Sequence, residues 1–221
     1  MITTSHKQLL SYTNIIWDFD GVIKDSVKAK GKAFSDLFSF APLSIKNRIN
    51  EYHLTNGGVS RYEKLMVYLS WCGLATDSST IEEWAQRFSA LVVKNVISSN
   101  WLPGVDEYIS KYHGSQNFHI ATATPYEEII TILRSLSLQG KFKSIFGHPT
   151  TKTEAVETIL NAKPISIHDF LYIGDSLTDY IAADKFKIDF LCMLDGETTS
   201  PPLWTQPHHS MQMTQGISMR D

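Results

Sequence analysis

The pattern of apolar and polar positions divides the chain into short buried strands and amphipathic helices. Helical periodicity covers 104–113, 125–138, 152–162 and 177–186. Apolar runs of strand length occur at 14–19, 118–122, 143–147, 170–174 and 188–194. Alternating strands and helices predict an α/β fold with a doubly wound, Rossmann-like parallel sheet covered on both faces. In such a sheet the carboxyl ends of the strands meet at one edge, where ligands bind.

A long helical stretch interrupts this alternation after the first strand. It contains no convincing strand, and its amphipathic patterns cover 26–39, 43–54, 60–72 and 79–98. It ends at Pro103-Gly104, which is typical of a turn. We therefore predict an α-helical cap domain of residues 25–100 inserted into an α/β core formed by residues 1–24 and 101–221. The tail after Asp195 is rich in Thr, Ser, Pro, Gln and Met, and we expect it to be loosely ordered.

Charge and composition narrow the class of protein. The formal net charge of −3 indicates no basic surface for nucleic acid or for an anionic membrane. Cys72 and Cys192 are far apart and fit neither a disulfide framework nor a Cys-x-x-Cys metal site, which favours a reducing compartment. No apolar run reaches membrane-spanning length, and the N-terminus lacks the apolar core of a secretory signal. We expect a cytoplasmic protein, and the oligomeric state stays open.

Two aspartates, Asp18 and Asp20, end the first apolar run. Residues two apart in a strand point to the same face, so the two carboxylates should project together, and Gly21 lets the chain turn away. Neighbouring buried carboxylates repel each other unless a cation or a shared proton compensates. This pair indicates a metal site, or a division of labour between an ionised and a protonated acid. The alternative is a strand end with two solvated acids.

Two threonines follow the second apolar run. Thr124-Pro125-Tyr126-Glu127 predicts a capping box with proline at the first helical position. Thr122 would then lie at a strand end facing a helix N-terminus, where free N–H groups and the helix dipole attract an anion. Both threonines could instead only cap and pack, and that interpretation is favoured for Thr124 but not for Thr122.

Lys152 lies within a second predicted capping box, Thr151-Lys152-Thr153-Glu154. A cation in the first turn of a helix opposes the helix dipole at a cost of a few tenths to about 1 kcal/mol. Its position makes sense if the lysine neutralises a phosphate or the acidic residues. A solvent-exposed lysine is an equally open alternative.

Asp175 and Asp179 follow the fourth apolar run, in Gly174-Asp175-Ser176-Leu177-Thr178-Asp179. Asp175 ends a predicted strand, so its carboxylate can converge with Asp18 and Asp20. The spacing suits oxygen ligands of a hard cation such as Mg²⁺. Asp179 also has a structural alternative, because Ser176 and Asp179 have capping-box spacing.

These motifs, in this order and each at a strand end, resemble those of the haloacid dehalogenase superfamily. Asp18-Phe19-Asp20-Gly21-Val22 is similar to its first motif, Thr122 to its second, Lys152 to its third and Gly174 to Asp179 to its fourth. The resemblance covers roughly residues 14–194. The helical insertion, Asp25-Ser26 and Pro103-Gly104 are similar to the phosphoglycolate phosphatase and β-phosphoglucomutase branch.

The resemblance implies a role for each motif residue. Asp18 would be the nucleophile that forms an aspartyl-phosphate, and Asp20 the general acid and then the base. Thr122 and Lys152 would hold the phosphoryl group, with Thr124 a further substrate-binding candidate. Mg²⁺ would be bound by Asp18, the backbone carbonyl of Asp20 and Asp175, with Asp179 a ligand through water or a support. The acid at position 20 disfavours dehalogenation, because a halide leaves without a proton.

The predicted cap offers two candidate substrate-binding residues. Gly58-Val59-Ser60-Arg61 resembles the cap specificity loop of β-phosphoglucomutase, and Ser60 could cap the next helix. Arg61 could hold a distal anionic group of the substrate by a bidentate contact. Lys64 follows one turn later. Both cations could instead be solvated residues of a cap helix.

The leading hypothesis is a Mg²⁺-dependent phosphatase of a small phosphorylated metabolite, such as a sugar or sugar-acid phosphate. A phosphosugar mutase of the β-phosphoglucomutase type would share every motif and stays open. A non-catalytic phospho-receiver would place its aspartate on a middle strand and would have no cap, so the pattern counts against it. A binding module is disfavoured because all the expected catalytic positions are filled.

Overall fold

A computed structural model describes residues 3–162, 166–195 and 211–220 of the chain. Its centre is a sheet of six strands in which all neighbours are parallel. In spatial order they are β4 (Ser144–His148), β3 (Asn117–Pro125), β2 (Asn14–Trp17), β5 (Phe170–Gly174), β6 (Asp189–Met193) and β7 (Met211–Thr214). A separate two-stranded sheet pairs β1 (Thr4–Ser5) with β8 (Ile217–Ser218).

Helices cover both faces of the sheet because every second side chain of a strand points the same way. Ile15 and Trp17 of β2 pack with α6 and α7, whereas Ile16 packs on the other face with α8 and α9. These four helices are α6 (Val105–Tyr112), α7 (Tyr126–Ser135), α8 (Lys152–Asn161) and α9 (Leu177–Lys185). The predicted doubly wound α/β fold is confirmed. No described helix is long and apolar enough to cross a membrane.

Four helices lie between β2 and α6, and a short helix α1 (His6–Leu9) precedes β2. We call residues 27–98 the helical insert; it consists of α2 (Val27–Leu37), α3 (Leu43–Thr55), α4 (Arg61–Trp71) and α5 (Ser78–Ser98). Stacked rings hold it together: Phe34 lies 4.0 Å from Phe88, and Phe38 lies 4.9 Å from Trp84, between ring centroids. The helices match the predicted patterns; the division into a cap domain and a core at residues 24/25 and 100/101 stays a prediction.

The two chain crossings between sheet and insert are hydrogen-bonded to each other. The N–H of Asp25 donates to the carbonyl of Asn100 at 2.8 Å. The N–H of Leu102 donates to the carbonyl of Ile23 at 3.1 Å. Lys24 and Trp101 form an antiparallel bridge between these contacts. The outgoing and returning segments therefore form a short paired ribbon at the base of the insert.

The expectation of a loosely ordered tail is wrong for the last described segment. β7 pairs with β6 at the sheet edge, and β8 pairs with β1. Thr214 is fully buried, and the N–H of Ile217 donates to the carbonyl of Pro103 at 2.8 Å. Backbone groups of β6 that would otherwise lack partners gain a ladder, which outweighs the polar composition of this stretch. Residues 196–210 of the predicted tail lie outside the described residues.

Candidate active site

Asp18 lies immediately after β2, at the carboxyl edge of the sheet. Its backbone N–H donates to the carbonyl of Ile173, which continues the pairing with β5 by one residue. Its carboxylate is buried, with Oδ1 accepting from the N–H of Phe19 at 2.6 Å and Oδ2 from Nζ of Lys152 at 2.6 Å. The sheet and a buried lysine thus hold Asp18 in one orientation.

Lys152 begins α8, and the predicted capping box of Thr151 and Glu154 is present. Only 5% of its side chain is exposed, so the solvated alternative for this lysine is wrong. Nζ lies 2.6 Å from Asp18 Oδ2, 2.6 Å from Asp179 Oδ1 and 3.4 Å from the hydroxyl of Ser176. Lys152 therefore joins Asp18, which follows β2, to Asp179 in the first turn of α9.

Asp20 has a separate set of partners. Oδ1 accepts from the hydroxyl of Ser26 at 2.6 Å, and Oδ2 accepts from Lys30 Nζ at 2.5 Å and from the hydroxyl of Thr124 at 3.0 Å. Lys30 also donates to Thr124 at 2.9 Å. Lys30 was not among the site residues predicted from the sequence, although it follows Ser26, the N-cap of α2, by four positions, so that the two share a face.

Asp175 and Asp179 complete the acidic cluster after β5. Gly21 has a φ of +77°, and a Cβ on it would lie 2.1 Å from Asp175 Oδ2. Only glycine tolerates both the backbone angle and this approach. Asp179 is fully buried; Oδ1 accepts from Tyr172 at 2.8 Å as well as from Lys152, and Oδ2 accepts from Ser176. Its capping box with Ser176 is present.

The pKa values of Asp18 and Asp20, the two aspartates of the first motif, are shifted in opposite directions. Burial, with the charge of Asp179, raises the pKa of Asp18 to about 7, although Lys152 opposes the rise. Burial also tends to raise the pKa of Asp20, but the charge of Lys30 and hydrogen bonds to Lys30 and the two hydroxyls outweigh it, so this pKa lies below 3.8. Asp20 is therefore ionised, whereas Asp18 is held near the point of protonation.

The same acidic cluster also shifts the pKa values of Lys152 and Asp175. Burial opposes the charge on Lys152, yet Asp179 and Asp18 together raise its pKa above the ordinary 10.5. Burial and the charges of Asp18 and Asp179 raise the pKa of Asp175 well above 3.8. The cluster thus carries more negative charge than its lysines offset.

This excess charge and the donor atoms fit a hard divalent cation. Carboxylate oxygens of Asp18, Asp175 and Asp179 all lie within 4.8 Å of one another. Oxygen donors of this kind suit Mg²⁺. The carboxylate of Asp20 is taken up by Lys30, Ser26 and Thr124, which leaves its backbone carbonyl as the donor that the resemblance implies. The ligand roles of these four aspartates stay predictions.

The two threonines after the second apolar run lie in β3, beside the acids. Both are buried, and the N–H of Thr124 lies 3.3 Å from the hydroxyl of Thr122. The predicted capping box at Thr124 is wrong, because α7 begins at Tyr126 and its N-cap, Pro125, makes no side-chain cap. The hydroxyl of Thr124 contacts Asp20 instead. Phosphoryl binding by Thr122 and substrate binding by Thr124 stay predictions.

A cavity of about 250 Å³ lies between the acids and the helical insert. Asp18, Asp20 and Asp175 line its sheet side, and Lys30, Arg61 and Lys64 line its insert side. The cavity therefore lies between acids of the sheet edge and three cations of the insert.

Arg61 is buried, and its guanidinium forms a bidentate ion pair with Glu128 of α7. Ser89 of α5 also contacts both groups, accepting from Arg61 at 2.5 Å and donating to Glu128 at 2.6 Å. Burial rules out the solvated alternative for Arg61, and substrate binding by it stays a prediction. Glu128 was not identified in the sequence, because its partner lies 67 positions away.

Lys64 is also buried rather than solvated, and only 4% of it is exposed. Nζ lies 3.3 Å from Nδ1 of His53 and 3.5 Å from its carbonyl oxygen. Both atoms are uncharged acceptors. Substrate binding by Lys64 stays a prediction.

The loop before α4 lies directly on the fourth motif. Gly58 has a φ of +74°, and a Cβ there would be 1.9 Å from the hydroxyl of Thr178 and 2.4 Å from that of Ser176. Ser60 then caps α4, as expected, by accepting from the N–H of Glu63 at 3.3 Å. The missing side chain at position 58 allows the insert to approach the acidic cluster.

Comparison with known proteins places these residues within a known family. The model of the haloacid dehalogenase-like hydrolases matches residues 15–193. No curated protein sequence matches the chain significantly.

Solved structures show the same fold at low identity. A protein described as a predicted phosphoglycolate phosphatase from Haemophilus somnus has a TM-score of 0.70 and 14% identity, over 91% of this chain and 94% of that one. A haloacid dehalogenase-like hydrolase from Bacteroides fragilis has a TM-score of 0.69 and 19% identity, over 94% of this chain and 97% of that one. A haloacid dehalogenase-type hydrolase from Bacillus subtilis, whose structure was determined with bound magnesium, has a TM-score of 0.63 and 21% identity, over 86% of this chain and 92% of that one.

Proposed function

The chain belongs to the haloacid dehalogenase-like hydrolases, and on this premise we propose that it is a Mg²⁺-dependent phosphatase of a small phosphorylated metabolite. The family resemblance drawn from the sequence motifs is confirmed, and the protein is a hydrolase of this family. The single observation that carries the finer proposal is the different environment of two adjacent acids: Asp18 contacts Lys152 within the acidic cluster, and Asp20 contacts Lys30 outside it.

Asp18 is suited to the role of nucleophile. Its oxygen would attack phosphorus as the bond to the leaving oxygen breaks, which forms an aspartyl-phosphate. A carboxylate can approach a phosphate dianion only if cations offset their repulsion. Lys152 is already 2.6 Å from Asp18. Mg²⁺, when held by Asp18, Asp175, the Asp20 carbonyl and directly or indirectly Asp179, would supply further charge neutralisation.

Asp20 and Lys30 are suited to proton transfer. The leaving alkoxide needs a proton, and the water that later attacks the aspartyl-phosphate must lose one. Ionised Asp20 can accept the proton in the second step. In the first step the neighbouring proton carrier is Lys30, whose ammonium is hydrogen-bonded to Asp20. Asp20 would pass this proton to the leaving oxygen, while Thr122 would help to hold the phosphoryl group.

A panel of phosphorylated metabolites, assayed with Mg²⁺ for released inorganic phosphate, tests this proposal. We expect turnover of at least one sugar or sugar-acid phosphate and of a generic aryl phosphate. Phosphoryl transfer between two positions of a sugar without net phosphate release would instead identify a mutase. Absence of both reactions, with folded protein and saturating Mg²⁺, would contradict the proposal.

A further inference from the structure

The cations on the insert side of the cavity differ in whether an acid already neutralises them. Lys30 is paired with Asp20, and Arg61 is paired with Glu128. Among the described residues no carboxylate lies within ion-pair distance of Lys64. Lys64 is therefore the cation of this wall that keeps its charge available to a ligand.

The setting of Lys64 leaves part of its hydrogen-bonding capacity unused. Nε2 of His53 lies 3.1 Å from the carbonyl oxygen of Val27, so this nitrogen carries the hydrogen and Nδ1 accepts from Lys64. The second contact, to the His53 carbonyl, is long at 3.5 Å. An ammonium group has three donors, and the third has no acceptor in the described part of the chain.

A buried ammonium without an anionic partner is costly, because its lost hydration is not replaced. Burial and the charge of Lys30 lower the pKa of Lys64 to about 8, while Asp175 and Asp20 act in the opposite direction. His53 cannot offset the charge, because burial and Lys64 lower its own pKa to about 4 and leave it neutral. An anion in the cavity would relieve this cost.

We propose that Lys64 forms an anion subsite and that the substrate is a phosphomonoester with a second compact anionic group, a carboxylate or a further phosphate, bound by Lys64. This inference rests on the proposed function, in which Asp18, Thr122 and Lys152 hold the reacting phosphoryl group. The second group would lie on the insert side of the 250 Å³ cavity. The sequence-based expectation is that Arg61 could hold this distal anionic group; because Arg61 is paired with Glu128, Lys64 would be the main contact instead.

Matched substrates test the subsite. 3-Phosphoglycerate and glycerol 3-phosphate differ by a carboxylate in place of a hydroxymethyl group, and glycerol 1,3-bisphosphate supplies the second phosphate. We expect kcat/KM of the wild type to be at least tenfold higher for 3-phosphoglycerate or for glycerol 1,3-bisphosphate than for glycerol 3-phosphate. Lys64→Met should lose roughly 10- to 150-fold on that substrate, the range for a charge-assisted contact, and change little on glycerol 3-phosphate.

Three controls separate the subsite from folding and from catalysis. Lys64→Arg should keep part of the preference, and Lys32→Met removes a lysine that is 71% exposed and paired with Asp36. Circular dichroism checks that each variant is folded. Calorimetric binding of the same three compounds gives a readout that does not need turnover.

The outcomes also distinguish this inference from the proposed function. If an aryl phosphate is hydrolysed, but the wild type shows equal kcat/KM and equal affinity for the compounds with and without a second anionic group, the subsite alone would be overturned. A preference that Lys64→Met leaves intact would also overturn it. If nothing is hydrolysed but Lys64→Met abolishes selective binding of the compounds with a second anionic group, the proposed phosphatase fails and the subsite stands.

Discussion

Lys30 Nζ lies 2.5 Å from Asp20 Oδ2, which joins a helix of the insert to an acid of the first motif. The same ammonium contacts Thr124 of β3. An acid fixed by a cation and two hydroxyls keeps one orientation and stays ionised. In the proposed mechanism, proton transfer to a leaving oxygen would therefore depend on this pair rather than on Asp20 alone.

The leaving group should reveal the role of Asp20. Asp20→Asn should lose far more activity on an alkyl phosphate than on nitrophenyl phosphate, because nitrophenolate leaves almost without a proton. General acid catalysis contributes roughly 10²- to 10⁴-fold, so the two losses should differ by at least tenfold in kcat/KM. Equal losses on both substrates would show that Asp20 is not the acid.

Comparing the activity of Lys30→Met on an alkyl phosphate and on nitrophenyl phosphate tests whether Lys30 and Asp20 act together. We expect this variant to follow the pattern of Asp20→Asn with a smaller loss, since the acid remains but loses its proton-carrying neighbour. Lys32→Met, two residues along the same helix, is the control. A Lys30→Met enzyme with wild-type activity on alkyl phosphates would contradict a role of Lys30 in proton transfer.

Hydrolysis should require Asp18 and a divalent cation. Asp18→Asn keeps the size of the side chain but removes the charge that attacks phosphorus, so turnover of an aryl phosphate should fall to background. EDTA should abolish wild-type activity, and added Mg²⁺ should restore it, because the acids of the cluster carry excess negative charge. Substantial activity of Asp18→Asn, or indifference to EDTA, would refute the assignment of the nucleophile or the metal.

Arg61→Ala should destabilise the fold as well as alter the cavity. It leaves Glu128 buried without its cation, and breaking a buried pair costs about 3–5 kcal/mol. Arg61→Met combined with Glu128→Met should recover most of this loss, because no charge is then left unpaired. Urea unfolding of Arg61→Met, Glu128→Met and the double variant gives the free energies for this comparison. Losses that simply add would contradict a direct coupling of the two side chains.

Gly58→Ala should reduce catalysis by keeping the insert away from the fourth motif. A Cβ would collide with Thr178 and Ser176, so kcat/KM should fall for every substrate, including the aryl phosphate. Gly73→Ala is the matched control, because Gly73 also has a positive φ, +68°, but nothing lies within 4 Å of its Cβ position. Equal effects of the two substitutions on kcat/KM would assign the loss to backbone strain alone.

His119 should make the fold sensitive to acid. Burial, with the charge of Lys143, lowers its pKa from 6.5 to about 4. Between these pH values the unfolded state binds the proton and the folded state does not, so the free energy of unfolding falls as the pH falls.

Replacing this imidazole should remove that sensitivity. Relative to wild type, His119→Gln should gain about 1–2 kcal/mol between pH 7.5 and pH 5. Urea unfolding at both pH values measures this difference, and His168→Gln, which removes an exposed imidazole, is the control. A difference between wild type and His119→Gln that does not change with pH would contradict the prediction.

The sheet and the acidic cluster could be predicted from sequence because local patterns determine them. An apolar run that ends in a polar residue marks a strand end, and parallel strands bring such ends together. Asp18 and Asp175 follow this rule, and Lys152 begins the helix that comes after β4. The capping boxes of Thr151 and Ser176 also depend only on residues three apart.

Other features depend on tertiary contacts that local patterns do not encode. Glu128 looks like an ordinary acid in the first turn of a helix, and only the packing of the insert on α7 makes it the partner of Arg61. Thr124 has capping-box spacing, but a contact with Asp20 takes precedence. The strands at 211–214 and 217–218 are too short to be identified until the edges they cover are known.

The paired ribbon formed by residues 23–25 and 100–102 has a consequence for changes in chain length. One residue added to a single side of the ribbon would shift its register and tilt the insert relative to the sheet. By contrast, the turn between α4 and α5 is exposed and far from these hydrogen bonds along the chain. Insertions and deletions should therefore be tolerated near residue 73 and rejected at the ribbon, where both sides would have to change together.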